Sequence, residues 1–257
     1  MTSHDFDTTV LENEAVADGL FRLRFSAPAG TPAPGQFVMV RIGDRHDPLL
    51  RRPFSIHAAT GSEWRILYRV VGKGTRWLAD RRPGDPLRVL GPLGTGFPLQ
   101  VDGAPLLIGG GIGAAPLPLL AEKLLEASGE PPRVVIGFRT AAEIVCAEDF
   151  RRLGCPLTVV TEDGSSGEQG LVTDWLPDDP TVRPFLYVCG PMPMMRAVAR
   201  IAADRRWPGV VSLETMMACG ISACLGCAVP AATGASYLHA CKDGPVLPME
   251  AIQWDAI

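Results

Sequence analysis

The sequence carries no block of basic residues: 24 Lys and Arg stand against 28 Asp and Glu, for a net charge of -4. A nucleic-acid groove needs a positive stripe, so nucleic acid is not expected as a partner. A membrane span is also missing. The one uncharged stretch, Ala104 to Ala121, is 18 residues long, but four glycines and three prolines divide it. It reads as a buried strand, a glycine turn and a helix opening near Pro116. Met1 to Val10 holds Asp5 and Asp7 and no apolar run, unlike a secretory leader; the cytoplasm is the expected compartment. The four histidines, His4, His46, His57 and His239, form no triad and no ligand pattern. Gly72-Lys73-Gly74-Thr75 lacks the G-x4-G-K-[ST] order, so nucleotide hydrolysis has no support. Seven cysteines, an odd number, argue against a disulfide framework and for a reducing compartment.

A length of 257 residues, 47% of them hydrophobic and 20% charged, is enough for two or three small domains with real cores. From Thr9 to about Gln100 the segments are short, alternating and punctuated by glycine and proline, and Leu20 to Phe25 alternates apolar with basic. That is a β-barrel pattern with one wet face. From Val101 the pattern changes to compact apolar runs, Leu106–Ile108, Arg133–Phe138, Leu157–Thr161, Phe185–Cys189 and Val210–Leu213, with helical segments at Pro116–Ala127 and Pro193–Arg206. Strands alternating with helices predict a parallel sheet. The expected domains are a barrel over 1–100, an α/β parallel-sheet domain over 101–213 and a small cysteine module over 214–257.

Cys219, Cys224, Cys227 and Cys241 stand in the pattern C-x4-C-x2-C-x13-C. Three thiolates from one tight loop and a fourth from a hairpin form the plant-type arrangement for a [2Fe-2S] cluster. The small residues between them let backbone N-H groups approach the sulfurs. Zinc is the competing reading, with only one C-x2-C pair in its favour, and inert thiols are the third. In the barrel, Arg51-Arg52-Pro53-Phe54-Ser55 offers a cation for a pyrophosphate, an aromatic for a flavin ring and a hydroxyl for its N5 edge. Leu67-Tyr68-Arg69 and the turn at Gly74-Thr75 add to that set. Gly109-Gly110-Gly111-Ile112-Gly113 follows a strand and opens a helix, the geometry that presents N-H groups to a pyrophosphate. The second strand ends in Arg139 rather than an acid, which disfavours a standard Rossmann dehydrogenase. Cys189-Gly190-Pro191 ends a strand, where open sheets bind ligands. Glu162 and Asp163 end another and would repel a 2′-phosphate, favouring NAD over NADP.

The order of these motifs resembles the ferredoxin-NADP reductase superfamily. Gly91-Pro92-Leu93-Gly94-Thr95-Gly96-Phe97, Glu214 to Gly220 and Cys241 to Val246 are similar to the electron-transfer subunits of two-subunit, NAD-dependent dihydroorotate dehydrogenases. The resemblance implies FAD in the barrel, held by Arg52, Pro53, Phe54, Ser55, Leu67, Tyr68, Arg69, Gly74 and Thr75. It implies NAD at the α/β domain near Gly109, Gly110, Gly111, Gly113, Asp163, Cys189, Gly190 and Pro191. It also implies a [2Fe-2S] cluster on the four cysteines, facing an FMN-containing catalytic subunit in a heterotetramer of two of each chain. Related hydrogenase reductase subunits and ferredoxin-NADP oxidoreductases share these modules, and a zinc-stabilised interaction protein on a degenerate scaffold is the reading outside enzymology. Ser222 occupies a loop position where this family commonly has glycine; if that position needs a positive φ, serine strains it.

Overall fold

In a computed structural model, residues 4–43, 47–179, 181, 183–234 and 236–257 are described; His46 lies outside them. The alternating segments close into a barrel of β1 (His4–Ala17), β2 (Leu20–Ser26), β3 (Phe37–Val40), β4 (Arg52–Thr60), β5 (Glu63–Arg69) and β6 (Pro86–Leu93), in the order β1-β2-β5-β4-β3-β6. Along β2, Leu20, Leu23 and Phe25 are fully buried while Arg22 and Arg24 turn outward to Glu14 and Glu63. Phe25, Trp64, Tyr68, Ile56 and Val40 fill the interior. Each such side chain contributes about 1.5–3 kcal/mol by leaving water.

Two barrel elements were not foreseen. Strand β1 starts at His4 and runs through the polar HDFDTTVLENEAVA, because most of its residues face water and only Thr8 and Val10 are buried. A short helix, α1 (Lys73–Ala79), begins where a turn was expected. Thr75 caps it: its Oγ1 accepts the N-H of Val71 at 2.9 Å and of Gly72 at 3.1 Å.

The second domain is a sheet of β7 (Ala104–Gly110), β8 (Arg133–Phe138), β9 (Leu157–Thr161), β10 (Glu168–Gln169), β11 (Pro184–Cys189) and β12 (Gly209–Ser212), all parallel. Helices α2 (Leu117–Ser128) and α3 (Ala147–Arg152) cover one face through Leu117, Leu120 and Phe150. The other face takes α4 (Met192–Arg205) through Met195, Val198 and Ala202. Both long helices open at a proline, Pro116 and Pro191, as N-terminal prolines allow.

The C-terminal segment forms the ribbon β13 (Ala228–Pro230) with β14 (Tyr237–His239), then β15 (Val246–Pro248). It is less separate than a boundary at residue 214 implies. β15 pairs antiparallel with β12 and completes a seven-stranded sheet, covering an edge whose four residues are all buried. Its cysteine end packs on the barrel, where Cys227, Ala240 and Cys241 share a core with Phe37, Met39 and Leu93.

The seam between barrel and C-terminal segment has a sharp steric test. Gly94 has φ +75°, and a Cβ there would lie 2.4 Å from Pro245 Cδ and 2.8 Å from Gly244 O. Gly61 has φ +59° with nothing within 4 Å. Gly61→Ala should cost about 1 kcal/mol, and Gly94→Ala about 3 kcal/mol or more, in thermal unfolding; equal losses would mean that the seam yields.

Candidate functional site

The four cysteines fall into two pairs. Cys219 and Cys224 sit on the outer side of the loop, where Cys219 Sγ accepts the N-H of Ile221 and of Cys224, each at 3.4 Å. Cys227 and Cys241 lie inside, with sulfurs 3.3 Å apart, and Cys241 Sγ accepts the N-H of Ser222 at 3.2 Å. Burial opposes ionisation of Cys219, but the N-H groups of Ile221 and Cys224 outweigh it and bring the thiol down to about 6. Burial and the neighbouring Cys227 push Cys241 up to about 11. Among the described residues no three Cys, His, Asp or Glu groups converge on one point as a single ion requires. Two thiolates on each of two irons is the arrangement that a [2Fe-2S] centre asks for, and N-H groups already aimed at sulfur fit its charge.

On the barrel, β4 and α1 bring distant residues together: the Arg52 guanidinium stem lies against Gly74, where an added Cβ would be 3.1 Å from Nε. Pro53, Phe54 and Ser55 follow on the same strand, all half-buried. Strand alternation divides Leu67-Tyr68-Arg69. Leu67 belongs to the core of the sheet domain, whereas the Tyr68 ring is inside the barrel, stacked on Phe21 with its OH donating to Asn13 at 3.0 Å. The Tyr68 ring is therefore committed to the barrel interior and presents no free face to a ligand. A cavity of about 570 Å³ lies beyond, lined by Arg41, Asp47, Trp77, Arg81 and Arg88 among others. Lys73, beside Gly74, bonds Asp47 at 2.9 Å.

Between the domains lies a second cavity, of about 640 Å³. Gly110, Gly111, Gly113, Gly190 and Pro191 line it, as the motifs implied. Gly109 and Cys189 do not: Gly109 packs against Leu117 and Ile136, and Cys189 is buried beside Ser212, its thiol pushed up to about 12 by desolvation. A side chain at Gly113 would come within 2.5 Å of the Gly190 backbone, so the two loops meet main chain to main chain. Glu162 lines the cavity; the Asp163 carboxylate instead accepts the N-H and hydroxyl of Ser165 at 3.0 and 2.5 Å. Arg69, Arg139, Glu143 and Glu214 also line it; Glu143 carried no sequence signal, and Glu214 appeared only as the first residue of a motif read for the cluster.

Comparison with known proteins follows this division. Residues 214–253 match the iron-sulfur cluster binding domain of dihydroorotate dehydrogenase B, and residues 107–200 the oxidoreductase NAD-binding domain. The chain is 40% identical over 259 residues to the dihydroorotate dehydrogenase B (NAD(+)) electron transfer subunit of Desulforamulus reducens, covering 97% of this chain and 98% of that one. The chain belongs to this family. Its counterpart in Geobacillus kaustophilus is 42% identical over 247 residues, covering 93% and 94%. Among solved structures, an NADH-dependent reduced ferredoxin-NADP oxidoreductase superposes with a TM-score of 0.86 at 29% identity, over 96% of this chain and 90% of that one. A ferredoxin reductase of carbazole 1,9a-dioxygenase, at 21% identity and TM-score 0.69 over 81% and 68%, shares the fold.

In the cysteine loop the structure gives Ser222 φ +67°, the left-handed region in which serine is strained, with Leu225 at +57°. The strained serine is what turns its own N-H toward Cys241. Ser222→Gly should relieve about 1 kcal/mol and lengthen the life of the cluster's visible absorbance in air; a shorter life would assign the hydroxyl a protective role. Cys224→Ser should abolish stoichiometric iron and acid-labile sulfide while flavin stays bound, and zinc without sulfide in the unaltered protein would refute the cluster.

Proposed function

We propose that this chain is the electron-transfer subunit of a two-subunit, NAD-linked dihydroorotate dehydrogenase of the cytoplasm. Electrons released at a partner's FMN site pass by way of a [2Fe-2S] cluster and FAD on this chain to NAD. The observation that carries the reading is the two-by-two placement of Cys219, Cys224, Cys227 and Cys241 on a module packed against the barrel. When bound, the flavin supplies the exchange between single electrons and a hydride, which no side chain here can perform.

The protein's part is to hold and orient. Arg52, with the N-H groups of Gly74 and Thr75, suits a pyrophosphate, which favours FAD over FMN. The neighbouring cavity lined by Asp47 and Trp77 would offer room for its adenosine half. Phe54 gives a ring face, Ser55 a hydroxyl, and Leu67 and Arg69 close the flavin site from the domain side. Nicotinamide nucleotide fits the cavity between Gly110–Gly113 and Gly190–Pro191, with Glu162 facing the ribose in the role that Asp163 was expected to share.

Dihydroorotate oxidation needs a flavin beside the pyrimidine and a base within hydrogen-bond reach. The chain's single barrel-type flavin site faces nicotinamide, so that chemistry falls to the partner. Around the cysteine loop, Met216 is 89%, Ile221 56%, Leu225 57% and Tyr237 63% exposed. An apolar group of this kind suits the centre of an interface of about 1,600 Å², here with the FMN subunit in a heterotetramer. A ferredoxin-NADP oxidoreductase role is the second reading, favoured by the 29% identical structure.

Diaphorase assays should give a higher kcat/KM for NADH than for NADPH, and Glu162→Gln should narrow the gap; equal values in the unaltered protein would sink the assignment of Glu162. The chain alone should reduce dyes with NADH yet give no dihydroorotate-dependent NAD reduction until the FMN subunit is added. Dihydroorotate oxidation by the isolated chain would overturn this division of labour.

A further inference from the structure

Arg139 directly follows β8, where enzymes that use NADP place an arginine for the 2′-phosphate. Here it is already engaged. Glu143 Oε1 takes Arg139 Nη2 at 2.5 Å, and Oε2 takes Arg69 Nη2 at 3.3 Å. One carboxylate thus occupies two guanidiniums from two domains, and all three line the nucleotide cavity. Glu143 is well shielded, its side chain 14% exposed, against 69% for Arg139. The two arginines hold its carboxyl below the usual carboxylate range, so it stays charged at neutral pH.

Local structure fixes the bridge. Glu143 ends a short 3-10 turn, Ala141–Glu143. The Ala141 N-H donates to Ser165 Oγ at 2.7 Å, and that hydroxyl donates to Asp163 at 2.5 Å. The side chain expected at the ribose instead anchors the turn that carries Glu143. Along the cavity wall Arg69 and Arg139 face three carboxylates, Glu143, Glu162 and Glu214, so the wall offers no spare positive charge.

We propose that Glu143 is a specificity-determining residue that withholds Arg139 and Arg69 from a ribose 2′-phosphate, with Asp163 positioning it through Ser165. The inference rests on this cavity being the nicotinamide nucleotide site. A neutral side chain at 143 would leave a guanidinium free, and a charge-assisted bond to phosphate changes affinity by about tenfold or more.

The test uses the full chain with flavin and cluster, titrated with 2′,5′-ADP and with 5′-ADP, and the NADPH to NADH ratio of kcat/KM in dye reduction. Glu143→Gln should raise the affinity for 2′,5′-ADP about tenfold over that for 5′-ADP and raise the NADPH to NADH ratio alike, with the gain fading as salt is added. Glu143→Asp, one methylene shorter, should give a smaller gain, and adding Arg139→Gln to Glu143→Gln should erase it. An unaltered protein that prefers NADH while Glu143→Gln and Glu143→Asp both leave the 2′,5′-ADP to 5′-ADP ratio unchanged would overturn the role of Glu143. An unaltered protein that binds neither ADP ligand at this cavity would instead remove the nucleotide reading beneath it.

Discussion

The arrangement turns on the burial of β3. All four residues from Phe37 to Val40 are enclosed, and the strand serves two masters. Its edges pair with β4 and β6 to close the barrel, while Phe37 and Met39 pack into the core that holds Cys227 and Cys241. The register sets Phe37 beside Ser55 and Met39 beside Pro53. The strand carrying the proposed flavin residues and the inner cysteine pair are therefore fastened to the same four residues. Truncating Met39 there would cost about 2–5 kcal/mol and loosen both at once.

A negative cluster also needs a donor-rich loop, and the backbone of 219–227 provides it through left-handed turns. Gly220 adopts φ +72° and lies so close to the barrel that an added Cβ would come within 2.6 Å of Met39 Cγ, so no side chain fits there. Ser222 and Leu225 accept the same region of φ at a cost that glycine would avoid. Strain of this size is tolerated where the surroundings over-determine the loop, which the buried Cys227 and Cys241 do.

Much of this was legible in the sequence, and the failures share a cause. Period-two segments gave most barrel strands, and the runs Arg133–Phe138 and Leu157–Thr161 coincide with β8 and β9. Cysteine spacing led to the cluster family. β1 escaped notice because a mostly wet strand has no apolar run to announce it, and α1 because Gly72 just before its start and Gly74 inside its first turn look like a turn. Glu143 sits in the ordinary triplet Ala-Ala-Glu, and its partner Arg69 is 74 residues away. Asp163 was placed at the ribose by its position after a strand, but a serine two residues on captured its carboxylate, as short acidic side chains often allow.

The antiparallel pairing of β15 with β12 carries a consequence for how such a chain could be dismantled. A protein cut after Leu213 would keep every flavin and nucleotide residue named above except Glu214, yet it would leave an apolar strand with a bare row of N-H and C=O groups. Such an edge recruits other chains into sheets. The segment that ligates iron is also the sheet's selvedge, so a reductase of this build cannot shed its metal module by simple deletion without inviting aggregation. Its route to a cluster-free form runs through loss of thiols, with the hem left in place.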